Sequence, residues 1–232
     1  MSGQRACVLE HDPELEELVP PAQRRAARRA SYAAVIDVGT GQWDARADGE
    51  RARQGYGLLM LDGLLLRRCG FEGRFGAELL SAGDLLRPWE YSHDGASIDF
   101  ETTWRVLARA RLAVLDAAWA QRMAAFPRIG PALTGRALWR SRRLSSLMVI
   151  AQNPRLDERL WLLFWELADR HGRVHPDGVH VDLPLTHEIL SDLAAARRPS
   201  VSGALTRLAA AGRVRRERRG WVLAGEPPEP AS

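Results

Sequence analysis

The sequence contains no lysine, so all 33 of its basic side chains are arginines. It has only two cysteines, Cys7 and Cys69, which lie far apart and outside any C-x-x-C pattern. One chain therefore cannot build a disulfide framework or a four-cysteine iron–sulfur site. No apolar run approaches the roughly 20 residues that a membrane span requires, and the acidic N-terminus lacks the basic and apolar regions of a secretory signal. These absences predict a soluble protein of the cytoplasm.

Length and charge narrow the class of protein without fixing it. A chain of 232 residues can form two modest domains, each with its own core. The net charge of +4 permits contact with a polyanion, but charge matters for nucleic acid only where it gathers on one surface. The sequence has no G-x-S-x-G, no H-E-x-x-H and no phosphate-cradling Gly-Lys motif, so it predicts no enzyme.

The first half of the chain is predicted to be β-rich. Residues 31–126 break into short apolar stretches separated by Gly-Asp and Asp-Gly pairs, a pattern typical of an antiparallel sandwich or barrel. Residues 1–30 show little apolar periodicity, and we interpret them as a short lead-in helix or a flexible arm. Such an arm could touch nucleic-acid phosphates, but a charge run is usually a solvated face. The arginines of this run are Arg24, Arg25, Arg28 and Arg29.

Helical patterns begin after Leu115. A short helix is predicted from Asp116 to Ala125, and residues 127–152 contain a longer one that starts near Ala132. An apolar stripe recurs along the longer helix at steps of about three and four, although Arg140 and Ser141 interrupt it. This stripe predicts either a dimerisation helix that pairs with its twin or a helix that packs on its own β-domain. Its members are Leu133, Ala137, Leu144, Leu147, Met148 and Ala151.

Residues 153–232 have the pattern of a winged helix-turn-helix. A core helix is predicted over Leu156–His171, and a half-buried strand over Val179–Leu183. Thr186 is a good N-cap for a following helix, and Pro199 fits the first turn of the next one. The segment Arg213–Leu223 then reads as two short strands around a basic turn, which is the form of a wing. The residues predicted to face inward from the two helices are Ile189, Leu190, Leu193, Val201, Ala204, Leu205 and Leu208.

The outer positions of this region carry donors of the kinds that bind phosphates and base edges. Between Arg197 and Arg219 the chain has eight arginines and one acid, Glu217, so the net charge of this segment, +7, exceeds the net charge of the whole chain, +4. A helix laid in the major groove needs such a face, with its N-terminal residues nearest the bases. The alternative is a solvated basic tail on an ordinary helical domain. The candidate DNA-binding residues are Thr186, Arg197, Arg198, Ser200, Ser202, Thr206, Arg207, Arg216, Arg218 and Arg219.

From about Tyr56 to Leu223 the order of these parts resembles the Crp/Fnr family. The strongest motif is Leu185-Thr186-His187-Glu188-Ile189-Leu190-Ser191-Asp192-Leu193 followed by Arg197-Arg198-Pro199-Ser200-Val201-Ser202-Gly203-Ala204-Leu205, and Gly57–Gly63 and Leu80-Ser81-Ala82-Gly83-Asp84 are similar to turns of the family's barrel. The resemblance implies an α+β protein with an N-terminal cyclic-nucleotide-binding-like β-barrel or jelly roll, a long dimerisation helix and a C-terminal winged helix-turn-helix. It also implies a homodimeric transcription regulator that binds palindromic double-stranded DNA and contacts RNA polymerase, with no membrane partner.

The sequence departs from the family where a cyclic nucleotide would bind. Such a site has a Gly-Glu pair soon after the Gly-Asp turn and an arginine before the next strand, whereas this chain has Arg87-Pro88 and Glu101-Thr102. A carboxylate such as Glu101 repels a phosphate, so cyclic AMP is not the expected effector. The iron–sulfur branch is excluded by the cysteine count. A lone histidine such as His93 could ligate haem, but it is more typical of a surface or hydrogen-bonded position, so no cofactor is predicted.

Three hypotheses follow from these patterns. The first is a dimeric transcription regulator whose β-domain senses an unidentified signal or none. The second is an enzyme with a β-barrel pocket, and the third is a winged-helix interaction module without a DNA role. Three histidines, His171, His175 and His180, flank the predicted turn and strand, but no cysteine or acid lies at metal-ligand spacing. The arginine-rich wing favours the first hypothesis.

Overall fold

The computed structural model describes residues 4–88 and 97–228. The chain divides into two units. The N-terminal unit holds Met1–Phe71 and Glu78–Arg142, and the C-terminal unit holds Glu72–Ala77 and Arg143–Ser232. No helix among the described residues is both long and apolar enough to span a membrane.

The N-terminal unit is built on an antiparallel sheet of seven strands, in the order β1-β2-β7-β4-β5, with β3 paired to β7 and β6 paired to β4. This confirms the β-rich half and, with the helical C-terminal unit, the α+β class. The strands are β1 (Arg5–Cys7), β2 (Tyr32–Val38), β3 (Gly41–Gln42), β4 (Gly57–Phe71), β5 (Arg74–Ser81), β6 (Leu85–Leu86) and β7 (Glu101–Leu115).

Strands β4 and β7 are each 15 residues long and pair along most of their length. The Asp62-Gly63 pair, interpreted from the sequence as a turn, lies inside β4 at a bulge. Gly63 has φ +98, and a Cβ there would lie 2.5 Å from the Ala110 Cα, so the bulge requires glycine. The Gly83-Asp84 pair does form a turn, since Asp84 N donates to the Ser81 carbonyl at 3.0 Å.

Both faces of this sheet are buried, which explains why its strands show apolar runs instead of clean alternation. Leu58 and Met60 belong to one apolar cluster, with Trp104. Their neighbours Leu59 and Leu61 point to the opposite face and belong to a second cluster, which the helices cover.

Residues 5–30, predicted as a lead-in helix or a flexible arm, form short helices and also a strand that belongs to the unit. Strand β1 pairs with β2, and Leu9 and Leu15 are fully buried in the helix-covered cluster. The interpretation as a separate arm is therefore wrong. The pairing of β1 with β2 and the burial of these apolar residues are tertiary contacts, which local periodicity in the sequence does not show. The helices are α1 (Val8–His11), α2 (Pro13–Glu17) and α3 (Arg24–Ala30), with α4 (Ala45–Gly49) after β3.

Two helices follow β7, as predicted: α5 (Ala117–Met123), which Asp116 caps through Trp119 N at 2.7 Å, and α6 (Ile129–Gln152). Only part of the predicted stripe on α6 packs on the N-terminal unit, and pairing of the rest with a twin helix stays a prediction. Leu133 is fully buried in the N-terminal unit, whereas Met148 is 66% exposed. Arg140, which interrupts the stripe in the sequence, is buried. The exposed large apolar residues of α6 are Leu138, Trp139, Met148 and Val149.

The C-terminal unit combines helices with a four-stranded sheet in the order β10-β11-β9-β8. Strand β8 was not predicted, because its four residues between a helix and a turn are too few to show the alternation of a strand. The other elements agree with the sequence prediction to within two residues. They are α7 (Leu156–His171), β8 (Gly172–His175), β9 (Gly178–Val181), α8 (His187–Leu193), α9 (Arg198–Ala210), β10 (Val214–Arg216) and β11 (Trp221–Leu223).

Candidate nucleic-acid interface

Helices α8 and α9 form the two helices of a helix-turn-helix. Thr186 caps α8, its hydroxyl accepting from Ile189 N at 3.2 Å. Ala195 has φ +47 in the turn between the helices, and Pro199 lies in the first turn of α9. All of the residues predicted to face inward are buried: Ile189, Leu190, Leu193, Val201, Ala204, Leu205 and Leu208. These apolar contacts fix α9, so its opposite face is presented outward.

Strands β10 and β11 form the predicted wing. Val214 pairs with Leu223, Arg216 pairs with Trp221, and Glu217 N closes the turn by donating to the Gly220 carbonyl at 3.0 Å. The wing is anchored to the segment before α8 by Trp221, whose Nε1 donates to the Leu185 carbonyl at 3.1 Å.

Arg216 takes part in the same anchor. Its Nη1 donates to the Leu185 carbonyl at 2.6 Å, and its guanidinium lies 4.8 Å from the centre of the Trp221 ring. This candidate DNA-binding residue therefore has a structural contact of its own. The two residues are five positions apart on paired strands, so the stacking of an arginine on a cross-strand tryptophan is the signal that could have indicated the anchor.

Three other arginines of the basic segment meet carboxylates. Arg213 Nη1 lies 3.1 Å from Glu158 Oε1, and Arg207 Nε lies 3.7 Å from Asp157 Oδ2. Arg215 Nη2 lies 2.7 Å from Asp177 Oδ2 and 2.9 Å from Glu217 Oε1. These acids lie outside the segment, apart from Glu217, so the sequence did not reveal that they reduce its free charge.

Asp177 also links the wing to the β8–β9 hairpin. His180 Nε2 lies 2.9 Å from its Oδ1, and the hydrogen bond from His180, followed by that from Arg215, lowers the pKa of Asp177 to about 2. The His175 and His180 rings are 4.4 Å apart. Within the described residues, no group of three histidine, cysteine or acidic side chains is arranged to hold a metal ion.

Four arginines of the segment keep their guanidinium groups exposed. Arg197 and Arg198 lie at the start of α9, and Arg218 and Arg219 lie in the turn of the wing. No hydrogen bond or ion pair joins the guanidinium group of any of the four to another described residue. An exposed guanidinium without a protein partner is free to bind a phosphate or a base edge.

The hydroxyl groups among the candidates are held by the helix-turn-helix itself. Ser202 Oγ lies 2.8 Å from His187 Nδ1 and donates to the Arg198 carbonyl at 3.2 Å. Thr206 Oγ1 donates to the Ser202 carbonyl at 3.0 Å. Ser200 is exposed. The Ser202 contact joins α8 to α9 and was not predicted, because the two residues belong to different helices.

The N-terminal unit holds a buried cluster of charge where the sequence suggested a sensor. Glu78 lies between two arginines: its Oε1 is 2.6 Å from Arg67 Nε, and its Oε2 accepts from Arg140 Nε at 3.0 Å. All three side chains are buried. Glu101, which the resemblance places where an arginine of the family is expected, is exposed at the start of β7. His93, the residue considered as a haem ligand, lies outside the described residues.

The family model described as a Crp-like helix-turn-helix domain matches residues 158–224. This range runs from α7 to the end of the wing, so it includes all of the candidate DNA-binding residues. A search of curated proteins found no match.

Solved structures similar to the chain extend the likeness to both units. A cyclic nucleotide-binding domain containing protein from Listeria monocytogenes has a TM-score of 0.64 at 13% identity, with 91% of this chain and 96% of that chain covered. CLP of Xanthomonas campestris, named as a c-di-GMP responsive global regulator, has a TM-score of 0.56 at 17% identity, with 93% and 100% covered. TTHB099 of Thermus thermophilus, a transcriptional regulator of the CRP family, has a TM-score of 0.55 at 20% identity, with 81% and 91% covered. At these identities the likeness shows the fold.

Proposed function

We propose that this chain, a transcription regulator of the Crp/Fnr type by its helix-turn-helix domain and its fold, binds palindromic DNA as a homodimer, without cyclic AMP. Such regulators are not enzymes. The observation that carries the proposal is the placement of the four partnerless arginines, two at the start of the outward-facing helix and two at the tip of the wing.

Each pair of arginines has its own task in the proposed complex. Helix α9 enters the major groove with its N-terminus nearest the bases, so Arg198 reaches a base edge and Arg197 a neighbouring phosphate. Arg218 and Arg219 meet the sugar–phosphate backbone beside the groove, where arginine adds affinity but carries little sequence information. Arg207 and Arg216 contribute less than the sequence suggested, because one faces Asp157 and the other holds the wing.

Helix α6 supplies the dimer contact in this proposal. Leu138 and Val149 are separated by three helical turns and so share one face, and both are exposed, as are Trp139 and Met148 beside them. A second copy of α6 would cover these side chains, and twin recognition helices could then lie about 34 Å apart, one turn of DNA.

The dimer is tested by changing Leu138→Arg and Val149→Arg together. Sedimentation at micromolar concentration should show a dimer for the wild type and a monomer for this variant. Val174→Arg is the matched control, since Val174 is also highly exposed but lies on β8. A wild-type chain that is monomeric both free and on DNA would contradict the proposal.

The exposed Glu101 and the buried Arg67–Glu78–Arg140 cluster support independence from cyclic AMP. A ligand that binds only the folded state must raise the melting temperature. We therefore expect that micromolar cyclic AMP or cyclic GMP causes no saturable increase in the melting temperature. Cyclic di-GMP serves as a third probe, because CLP is named for its response to it. A shift with cyclic AMP would overturn this part of the proposal.

Bacterial RNA polymerase is the further partner that such a function implies, in the cytoplasm, where the chromosome lies. Binding itself is tested by selecting DNA fragments from a random pool with the full chain. The proposal expects a two-fold symmetric site with half-sites about one turn apart, and the paired variant Arg197→Ala, Arg198→Ala should recover no such site. If the wild type enriches no sequence, the winged helix does not bind DNA sequence-specifically. The hypothesis of a winged-helix interaction module without a DNA role then replaces the proposed function.

A further inference from the structure

The outermost stripe of α9 carries no charged side chain. Pro199, Gly203, Thr206 and Ala210 follow one another at steps of four, three and four residues, on the side of the helix opposite the buried Val201 and Leu205. All four are exposed. The long donors of α9 border this stripe: Arg198 lies at the start of the helix, and Arg207 lies beside Gly203, with its Nε 3.7 Å from Asp157 Oδ2.

The one polar group of the stripe is already used by the helix. Thr206 Oγ1 donates to the Ser202 carbonyl at 3.0 Å, so the methyl group is the part of the side chain left to meet a partner. At Gly203, a Cβ would have only one neighbour within 4 Å, the Arg207 Nη1 at 3.7 Å. The middle of the stripe is therefore a low surface of carbon atoms that allows the helix backbone to approach a partner closely.

Resting on the proposed function, we infer that this stripe reads the 5-methyl groups of thymine in the major groove. Thymine is the base that presents a methyl group there, and threonine methyls and alanine are the side-chain groups that pack against it. A stripe without long donors cannot make the bidentate hydrogen bonds that read guanine or adenine. The base pair under Thr206 is therefore an A·T pair recognised by apolar contact, and Arg198 reads a separate position near the start of the helix.

The test uses the wild-type chain and the site that it selects. Each thymine of a half-site is replaced in turn by 2′-deoxyuridine, which removes the methyl group and leaves every hydrogen-bonding group in place. Removal of one buried methyl should weaken binding by about threefold to fivefold. We expect this loss at one or two adjacent thymines per half-site and no loss at the others.

Two variants connect the methyl group of the DNA to Thr206. Thr206→Ser removes the side-chain methyl and keeps the hydroxyl, so deoxyuridine at the contacted position should cost this variant little. Thr206→Val keeps a methyl group at the same place, so deoxyuridine at the contacted position should weaken its binding as much as it weakens binding of the wild type. Ala209→Ser, at an exposed position of the same helix but off the stripe, is the control and should respond like the wild type.

The outcomes separate this inference from the proposed function. Two results would overturn the methyl contact and leave DNA binding intact. In the first, deoxyuridine changes the affinity at no position of the selected site. In the second, deoxyuridine weakens binding equally in Thr206→Ser and in the wild type. A wild-type chain that selects no site would overturn the proposed function and the methyl contact with it.

Discussion

The buried arginines of the N-terminal unit and the four exposed arginines of the C-terminal helix-turn-helix and wing differ in what they contact. In the N-terminal unit, Arg67 and Arg140 are buried on either side of Glu78, and Arg136 pairs with the buried Asp12, its Nη2 lying 2.7 Å from Asp12 Oδ1. In the C-terminal unit, the arginines at the start of α9 and the tip of the wing are exposed and have no protein partner among the described residues. With no lysine in the chain, arginine supplies both the buried ion pairs of the N-terminal unit and the exposed positive charge of α9 and the wing. A count of charges therefore indicates a nucleic-acid surface only after the paired arginines are set aside.

The largest expected effect lies in the buried cluster. Glu78→Ala leaves Arg67 and Arg140 without their shared carboxylate, and breaking a buried pair in this way costs about 3–5 kcal/mol of folding free energy. Urea unfolding followed by far-ultraviolet circular dichroism measures the loss. Glu50→Ala is the matched control, because it breaks the Glu50–Arg53 pair, whose side chains are both exposed, and its effect should be too small to resolve. Equal losses for the two variants would show that burial is not what makes the Glu78 cluster important.

The next effect lies on the exposed side of the comparison. Arg198→Ala should weaken specific DNA binding by about tenfold to a hundredfold and relax the sequence preference at one position per half-site, because a bidentate base contact is lost. Fluorescence anisotropy with the selected site and single-base variants measures both changes. Arg25→Ala removes an exposed arginine of α3 and should change neither affinity nor preference. If Arg198→Ala lowers the affinity but the base preference is unchanged at every position, Arg198 contacts only phosphate.

The smallest effect concerns the exposed hairpin contact of the wing. The pKa of Asp177 is lowered to about 2 in the folded chain, so its ion pairs stabilise the fold above the pKa of an unfolded aspartate, about 3.9, and this stabilisation is lost as the pH falls from there toward 2. The melting temperature of Asp177→Asn should therefore lie below that of the wild type at pH 6, and the difference should shrink between pH 4 and pH 3. A difference that is constant over this range would show that Asp177 does not act through its charge.

Local features of the C-terminal unit could be predicted from the sequence, whereas its long-range pairs could not. The Thr186 cap and the buried stripe of α9 depend on residues within one or two turns of each other, so periodicity and capping preference locate them. The pair between Arg213 and Glu158 joins residues 55 positions apart, and only the folded chain shows that this arginine is not free. The location of the candidate site on α9 and the wing stays a prediction, and the structure adds that two of its residues, Arg207 and Arg216, already contact other residues of the chain.

The N-terminal unit was harder to predict because tertiary contacts override its local patterns. Arg140 interrupts the apolar stripe of α6 in the sequence, but it is buried because Glu78 of β5 receives it. In a buried position a charged residue needs a specific partner, and that partner lies on a strand that periodicity of the helix cannot reveal.

The difference between exposed and paired arginines is tested most directly by the salt dependence of DNA binding. The slope of log K against log salt concentration should fall by about one for each phosphate contact removed. We predict a slope reduced by about two in Arg218→Ala with Arg219→Ala, and an unchanged slope in Arg25→Ala with Arg29→Ala, which removes the same charge from α3. Equal slopes for the wing variant and the wild type would contradict the account, because the wing arginines would then have no phosphate partner.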